Sequence, residues 1–256
     1  MNSTTRRDFL QGTATYTLLA AAATGIATSH PAHAADAAAG SVAASGSAPG
    51  TLAAAPAWSA PHEPMPLPFE ARSLKGISEK LIRSHHENNY TGAVKALNLV
   101  RGRLLAATVD NAATPYLYAG LKREQLARTG SVVYHELYFA NLGGSGPATA
   151  GLRSSLAHSF GSYDAWETEF RRIAAGLAGG SGWVVLAWNP TLRLFENYAL
   201  WDHTMGMTGS HPVLVMDMYE HAFQMDYGAA AAQYIDAFFA NINWDTVAAR
   251  LAVAAP

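Results

Sequence analysis

The stretch VLVMDMYEHAF, residues 213–223, runs four apolar side chains into Asp217, and four positions later sets His221 directly behind Glu220. The apolar run reads as a short buried strand. A strand that ends on a carboxylate needs a reason, because an unpaired buried acid is costly. A charged partner at the strand end supplies one, and a metal cation is a partner that also accepts neutral imidazole.

Working upstream, residues 182–188 (GWVVLAW) and 192–200 are also strand-like, with the turn Asn189-Pro190 between them. Earlier residues follow a helical period. Ser78 is a plausible N-cap for a helix over 77–108, in which Leu81, Ile82, His85, Tyr90, Val94, Leu97, Val100, Arg101 and Leu104 recur at helical spacings. A break at 110–115 precedes a second helix over 123–141, which stops at Gly143-Gly144. Further helices are expected over 147–160, 163–177, 229–239 and 244–253. The order predicts an α+β fold. A long N-terminal helical hairpin (66–145) packs on a C-terminal α/β lobe (146–256) with a small three-stranded antiparallel sheet. No internal repeat is visible.

The 256 residues are half hydrophobic, enough for a sizeable core, and carry a net charge of −2 without a long basic stripe. That argues against nucleic acid as a partner. The absence of cysteine excludes disulfides, thiolate nucleophiles and cysteine-based metal sites. The N-terminus resembles a twin-arginine export signal over 1–34. It has Arg6-Arg7, an alanine-rich apolar stretch at 14–27, and the small-x-small site Ala32-His33-Ala34. The apolar stretch is short and interrupted, so no stable membrane insertion is expected after cleavage. The protein is expected in the periplasm or outside the cell, exported folded. Residues 35–65, mostly Ala, Gly, Ser and Pro, read as a disordered linker, with an extended Pro-rich lead-in at 61–68.

Of ten histidines, His30, His33 and His62 fall in the signal or linker and carry no weight, and His158 and His211 read as surface or loop residues. His85, His86, His135, His203 and His221 remain. One step of a helix separates His85 from His86, so at most one of the two faces a shared site. His135 lies among apolar and aromatic neighbours on the second helix. A single buried histidine is more often a hydrogen-bonded core residue than a ligand. Two on facing helices, joined by Asp217 and His221 at a strand end, shift the balance towards a metal. Three imidazoles and a carboxylate suit Mn or Fe, with Zn open on ligand type alone.

The order His…His…Asp-x-aromatic-Glu-His resembles the iron/manganese superoxide dismutase family. The family's D-x-W-E-H signature appears here as Asp217-Met218-Tyr219-Glu220-His221. Leu67-Pro68-Phe69, Ile77-Ser78 eight residues before His85, Gly180-Ser181-Gly182-Trp183 and Asn243-Trp244 resemble further family stretches, and the likeness spans about residues 66–253. It implies His85, His135, Asp217 and His221 as ligands to one Fe or Mn ion per subunit, completed by solvent, with superoxide as substrate. It also implies Trp183 lining the pocket. Glu220 would bridge to the ligand histidine of a partner subunit in a homodimer. His203 is the candidate for the side chain that hydrogen-bonds the solvent ligand.

The departures from the family pattern cluster around the ligands. A His and a Tyr four and eight residues after the first ligand commonly gate the substrate and pass protons. Here those positions are Asn89 and Ala93. On an α-helix they lie about 40° and 80° round from His85, whereas Tyr90 lies about 140° away. Tyr90 would serve as the gate only if a π-bulge or bend re-aims it. Gln224 stands where the family has Tyr, so an Asn89–Gln224 hydrogen bond could substitute across the dimer. Tyr219 stands for the usual Trp. The expectation is dismutation with weakened proton delivery. The competing readings are an envelope metal-binding relative with little turnover, and a zinc hydrolase on the same ligands. The latter lacks an evident general base.

Overall fold

The computed structural model describes residues 54–254. The expected export signal and the linker as far as residue 53 lie outside the described residues.

Ser78 opens the first long helix: its hydroxyl accepts the Leu81 N–H at 3.1 Å. Helix α2 (Glu79–Ser84) enters a π-helical turn, His85–Tyr90, and continues as α3 (Thr91–Val109). A break follows, then α4 (Pro115–Ala140). This helix starts at 115 rather than at 123. Thr114 caps it and Pro115 occupies its first turn, where a missing N–H costs nothing. The proline belongs to the helix start and not to the break.

Helices α5 (Ala150–Phe160) and α6 (Tyr163–Leu177) lead to the sheet, capped by Thr149 and Ser162. Helix α6 buries Trp166, Phe170, Ala174 and Leu177, spaced to share one face. Strands β1 (Trp183–Asn189), β2 (Leu194–Leu200) and β3 (His211–Asp217) form an antiparallel sheet in the order β2-β1-β3. Trp183 is paired with Leu200 on one side and Asp217 on the other. A register shift at Leu186/Ala187 marks a bulge. Gly182 sits where a Cβ would lie 2.3 Å from the Leu200 carbonyl oxygen, so only glycine lets the chain enter β1 this close to β2. A short helix α7 (Gln224–Tyr227), then α8 (Ala231–Ala240) and α9 (Trp244–Ala254), close the chain. The α+β architecture is the expected one.

The core runs between the hairpin and the sheet. Trp166, Trp183, Tyr90, Tyr138, Tyr234, Phe170 and Phe238 are fully buried. Each such side chain contributes on the order of 1.5–3 kcal/mol through burial. Among the described residues no helix is long and apolar enough to cross a membrane.

The described part of the expected linker is ordered, which corrects that expectation for residues 54–65. A four-residue helix α1 (Pro56–Ser59) leads into an extended strap along α3. Asn98 grips the strap from both sides: Oδ1 accepts the His62 N–H at 2.9 Å and Nδ2 donates to the His62 carbonyl at 2.8 Å. Arg101 Nη1 donates to the Ala60 carbonyl at 3.3 Å. The strap has little apolar surface of its own. It is held by hydrogen bonds to a surface that the finished hairpin presents, which local composition does not reveal.

Candidate metal centre

His85, His135, Asp217 and His221 come from the π-turn, from α4, from the end of β3 and from the turn after it. One ligating atom from each lies within 4.8 Å of all the others. Asp217 Oδ2 is the hub, at 3.1 Å from His85 Nε2, 3.3 Å from His221 Nε2 and 3.6 Å from His135 Nε2. Asp217 and the side chains of His85 and His135 are out of solvent; His221 is about a quarter exposed. Asp217 Oδ1 accepts the Tyr219 N–H at 2.8 Å, and Tyr234 donates to the Asp217 carbonyl at 2.8 Å. The strand end is therefore fixed on both sides of its carboxylate. Tyr138, whose hydroxyl lies 3.1 Å from that of Tyr234, extends the support into the core.

The protonation pattern suits a cation. Burial pushes the His85 imidazole down, against the pull of Asp217. Burial likewise pushes His135 down to about 3. Burial alone would raise the Asp217 carboxyl, but the charge and hydrogen bonds of His221 and His85 outweigh it and hold the acid well below the usual range. The result favours the neutral form of His85 and His135 beside an ionised Asp217. His135 Nδ1 must donate to the Ser131 carbonyl, 2.6 Å away, since a carbonyl only accepts. That leaves the Nε2 lone pair facing Asp217. His85 Nε2 and His135 Nε2 are buried with no aligned hydrogen-bond partner, although His85 Nε2 is within ion-pair distance of Asp217. Buried polar atoms are normally satisfied. Two unsatisfied imidazole nitrogens aimed at one buried carboxylate fit a metal that takes N and O ligands.

The surrounding residues form a wall on one side. Trp183 is fully buried, edge-on to His135 at 5.1 Å between centroids, and its Nε1 donates to His203 Nδ1 at 3.0 Å. With Nδ1 accepting, the neutral His203 ring carries its proton on Nε2, as a donor. Burial pushes the His203 pKa down, which favours that neutral form. Tyr219 stacks between His203 (4.6 Å) and His221 (5.4 Å). The loop that carries His203 can approach α4 because residue 130 is glycine: a Cβ there would sit 1.8 Å from the His203 carbonyl oxygen.

The turn through Tyr90 is widened: the Thr91 N–H reaches the His86 carbonyl, an i→i+5 bond, and the Tyr90 ring packs on that of His86 at 5.2 Å between centroids. Tyr90 is fully buried, 6.2 Å from the His135 ring between centroids, and donates to Glu136 Oε1 at 2.8 Å. Burial pushes its hydroxyl pKa up to about 12. Asn89 is half-buried, Ala93 buried, and Gln224 and Glu220 exposed. His62 and Glu136, absent from the sequence-based candidates, meet at 2.5 Å beside Tyr90. Glu136 could have been noticed as the acid next to His135. His62 sits in a Pro-rich stretch with no periodicity and left no local signal.

The description "Iron/manganese superoxide dismutases, C-terminal domain" matches residues 148–250. The chain is 46% identical over 194 residues to an iron superoxide dismutase of Cupriavidus metallidurans, covering 75% of this chain and 98% of that protein. It is 34% identical over 195 residues to a manganese superoxide dismutase of Halobacterium salinarum (74% and 94% covered). It is 35% identical over 189 residues to an iron superoxide dismutase of Aquifex aeolicus (71% and 87% covered).

Proposed function

Because the chain belongs to the iron/manganese superoxide dismutase family, we propose that His85, His135, Asp217 and His221 hold the Fe or Mn ion of a working superoxide dismutase. The observation that carries this reading is the convergence of the four ligating atoms, with two buried imidazole nitrogens left unsatisfied. The bound ion supplies one-electron chemistry: superoxide is oxidised to oxygen in one half of the cycle and, with two protons, reduced to hydrogen peroxide in the other.

The residues of this chain do the rest. Asp217 offsets cationic charge and stays ionised at neutral pH. His135 is locked in the tautomer that presents Nε2. His203, oriented by Trp183, keeps Nε2–H as a donor on a ring 6.3 Å from that of His135 between centroids, from where it would hydrogen-bond solvent held by the ion. Tyr219 holds His203 and His221 parallel. Tyr90 and Phe139 pack against His135 and limit water access on that side. Glu220, exposed beside His221, supports a homodimer in which it reaches the partner subunit's His221. The Arg6-Arg7 signal supports export of the folded, metal-loaded protein.

The buried Ala93 favours a second reading. No hydroxyl stands there to pass protons, and a protein that holds metal with little turnover would result. Elemental analysis of purified protein, with a superoxide assay over a range of fluxes, separates the two. The dismutase reading expects about one Fe or Mn per subunit and turnover that lags at high flux. Bound metal without turnover selects the second reading; no bound metal defeats both.

A further inference from the structure

The strap over residues 60–66 does more than cover α3. It ends on Tyr90, the last residue of the π-turn, whose ring packs beside that of His135. His62 Nε2 lies 2.5 Å from Glu136 Oε1, and a carboxylate can only accept, so His62 donates. The same Oε1 accepts from Tyr90 at 2.8 Å. The Met65 N–H donates to the Tyr90 hydroxyl at 2.8 Å, and the Met65 carbonyl accepts from His86 Nε2 at 2.8 Å. The strap also roofs a cavity of about 100 Å³ lined by Met65, Pro66, Tyr90, Glu136 and Phe139. Each hydrogen of this network is committed: the phenol proton to Glu136, the Met65 N–H to the phenol oxygen.

We propose that His62 is a positioning residue for the dismutation site: by holding Glu136, it fixes Tyr90, whose ring packs 6.2 Å from that of His135 between centroids. The proposal rests on the dismutase reading above for its importance, but not for its test. Glu136 adjoins His135 in sequence, and its side chain is only about a fifth exposed. It needs two donors to sit there as an acceptor. Tyr90 gives one and the strap gives the other. Without His62 the carboxylate swings towards solvent, and the phenol loses its fixed acceptor.

The test is a double-mutant cycle on metal-loaded protein with two readouts. One is turnover at high superoxide flux. The other is affinity for azide, an anion followed by absorbance, which is measurable whether or not the protein dismutates. His62→Ala is expected to weaken azide binding and lower turnover by about three- to tenfold, the worth of one ordinary intramolecular hydrogen bond, because the change reaches the site only through Glu136 and Tyr90. His62→Gln, which keeps an N–H at that reach, is expected to restore both. In a Tyr90→Phe background the His62→Ala change is expected to have little further effect, since the two act as a unit. Equal azide affinity in wild type and His62→Ala overturns the proposal. So does a loss that Gln does not rescue, or one that persists undiminished in Tyr90→Phe. A wild type that binds azide but does not turn over superoxide defeats the dismutase reading alone.

Discussion

His85 Nε2 lies 3.1 Å from Asp217 Oδ2, both side chains wholly out of solvent. One comes from the π-turn of the hairpin and the other from the last residue of β3. Nothing local brings them together. The contact exists because α2 and the π-turn pack against the turn that follows β3, residues 220–222, and it leaves one carboxylate to be shared by three imidazoles.

Removing that carboxylate should empty the site. Asp217→Asn keeps the shape and deletes the charge. Changing a neighbour of a ligand costs about 10–100-fold in metal affinity, and a direct ligand should cost at least as much. Metal content after equilibrium dialysis against a graded chelator measures it. Retention equal to wild type would falsify the assignment of Asp217.

Stripping the metal should lower thermal stability. A ligand that binds only the folded state adds about 2.7 kcal/mol at a hundred times its Kd, roughly 5–10 °C for a chain of this size. Melting curves with and without chelator, on the same preparation, test this. Coincident curves would mean that the ion contributes nothing to the fold.

The metal-free protein should be acid-labile, and the sign follows from the shifts. His135 titrates near 3 when folded, against an ordinary value near 6.5 when unfolded. Its folded form is the neutral one, so the unfolded chain binds more protons between those values. Stability is then lost as pH falls from about 6.5. Asp217, also held below its ordinary value, adds a loss that begins near pH 4. Both act in the same direction. Urea midpoints of the metal-free protein should therefore fall steadily from pH 7 to pH 4. A flat profile contradicts the buried neutral imidazole.

Gly130→Ala should push the His203 loop off α4. The added carbon would lie 1.8 Å from the His203 carbonyl, against backbone that cannot simply turn aside. A cost of about 1–3 kcal/mol is expected, with lower turnover because His203 and its hydrogen bond from Trp183 move. A variant as stable and as active as wild type would show that this close approach is dispensable.

Much of the fold is legible in the residues. Caps at Ser78, Thr149 and Ser162, the amphipathic face of α6, and the apolar run into Asp217 are local signals, and each sits where the structure has the matching element. Pro115 was misleading because the same residue serves a break or a helix start, and only its following residues decide which. The π-turn was visible only as a condition on Tyr90, since a widened turn depends on what packs against it. His62 was invisible. The strap is held by Asn98, Arg101, Glu136, Tyr90 and His86, all distant in the chain, and its own composition reads as linker.

By itself the sequence determined the residue types for an N/O metal site, their order, the α+β layout and the likeness to a metalloenzyme family. Those follow from periodicity and from side-chain chemistry, which act over a few residues. Tertiary structure alone decided that the four candidate ligating atoms lie within 4.8 Å of one another, that Tyr90 packs beside His135, and that a strap read as disordered is fastened to Tyr90 and Glu136. Convergence and fastening depend on how separate elements pack, and packing is a property of the whole chain.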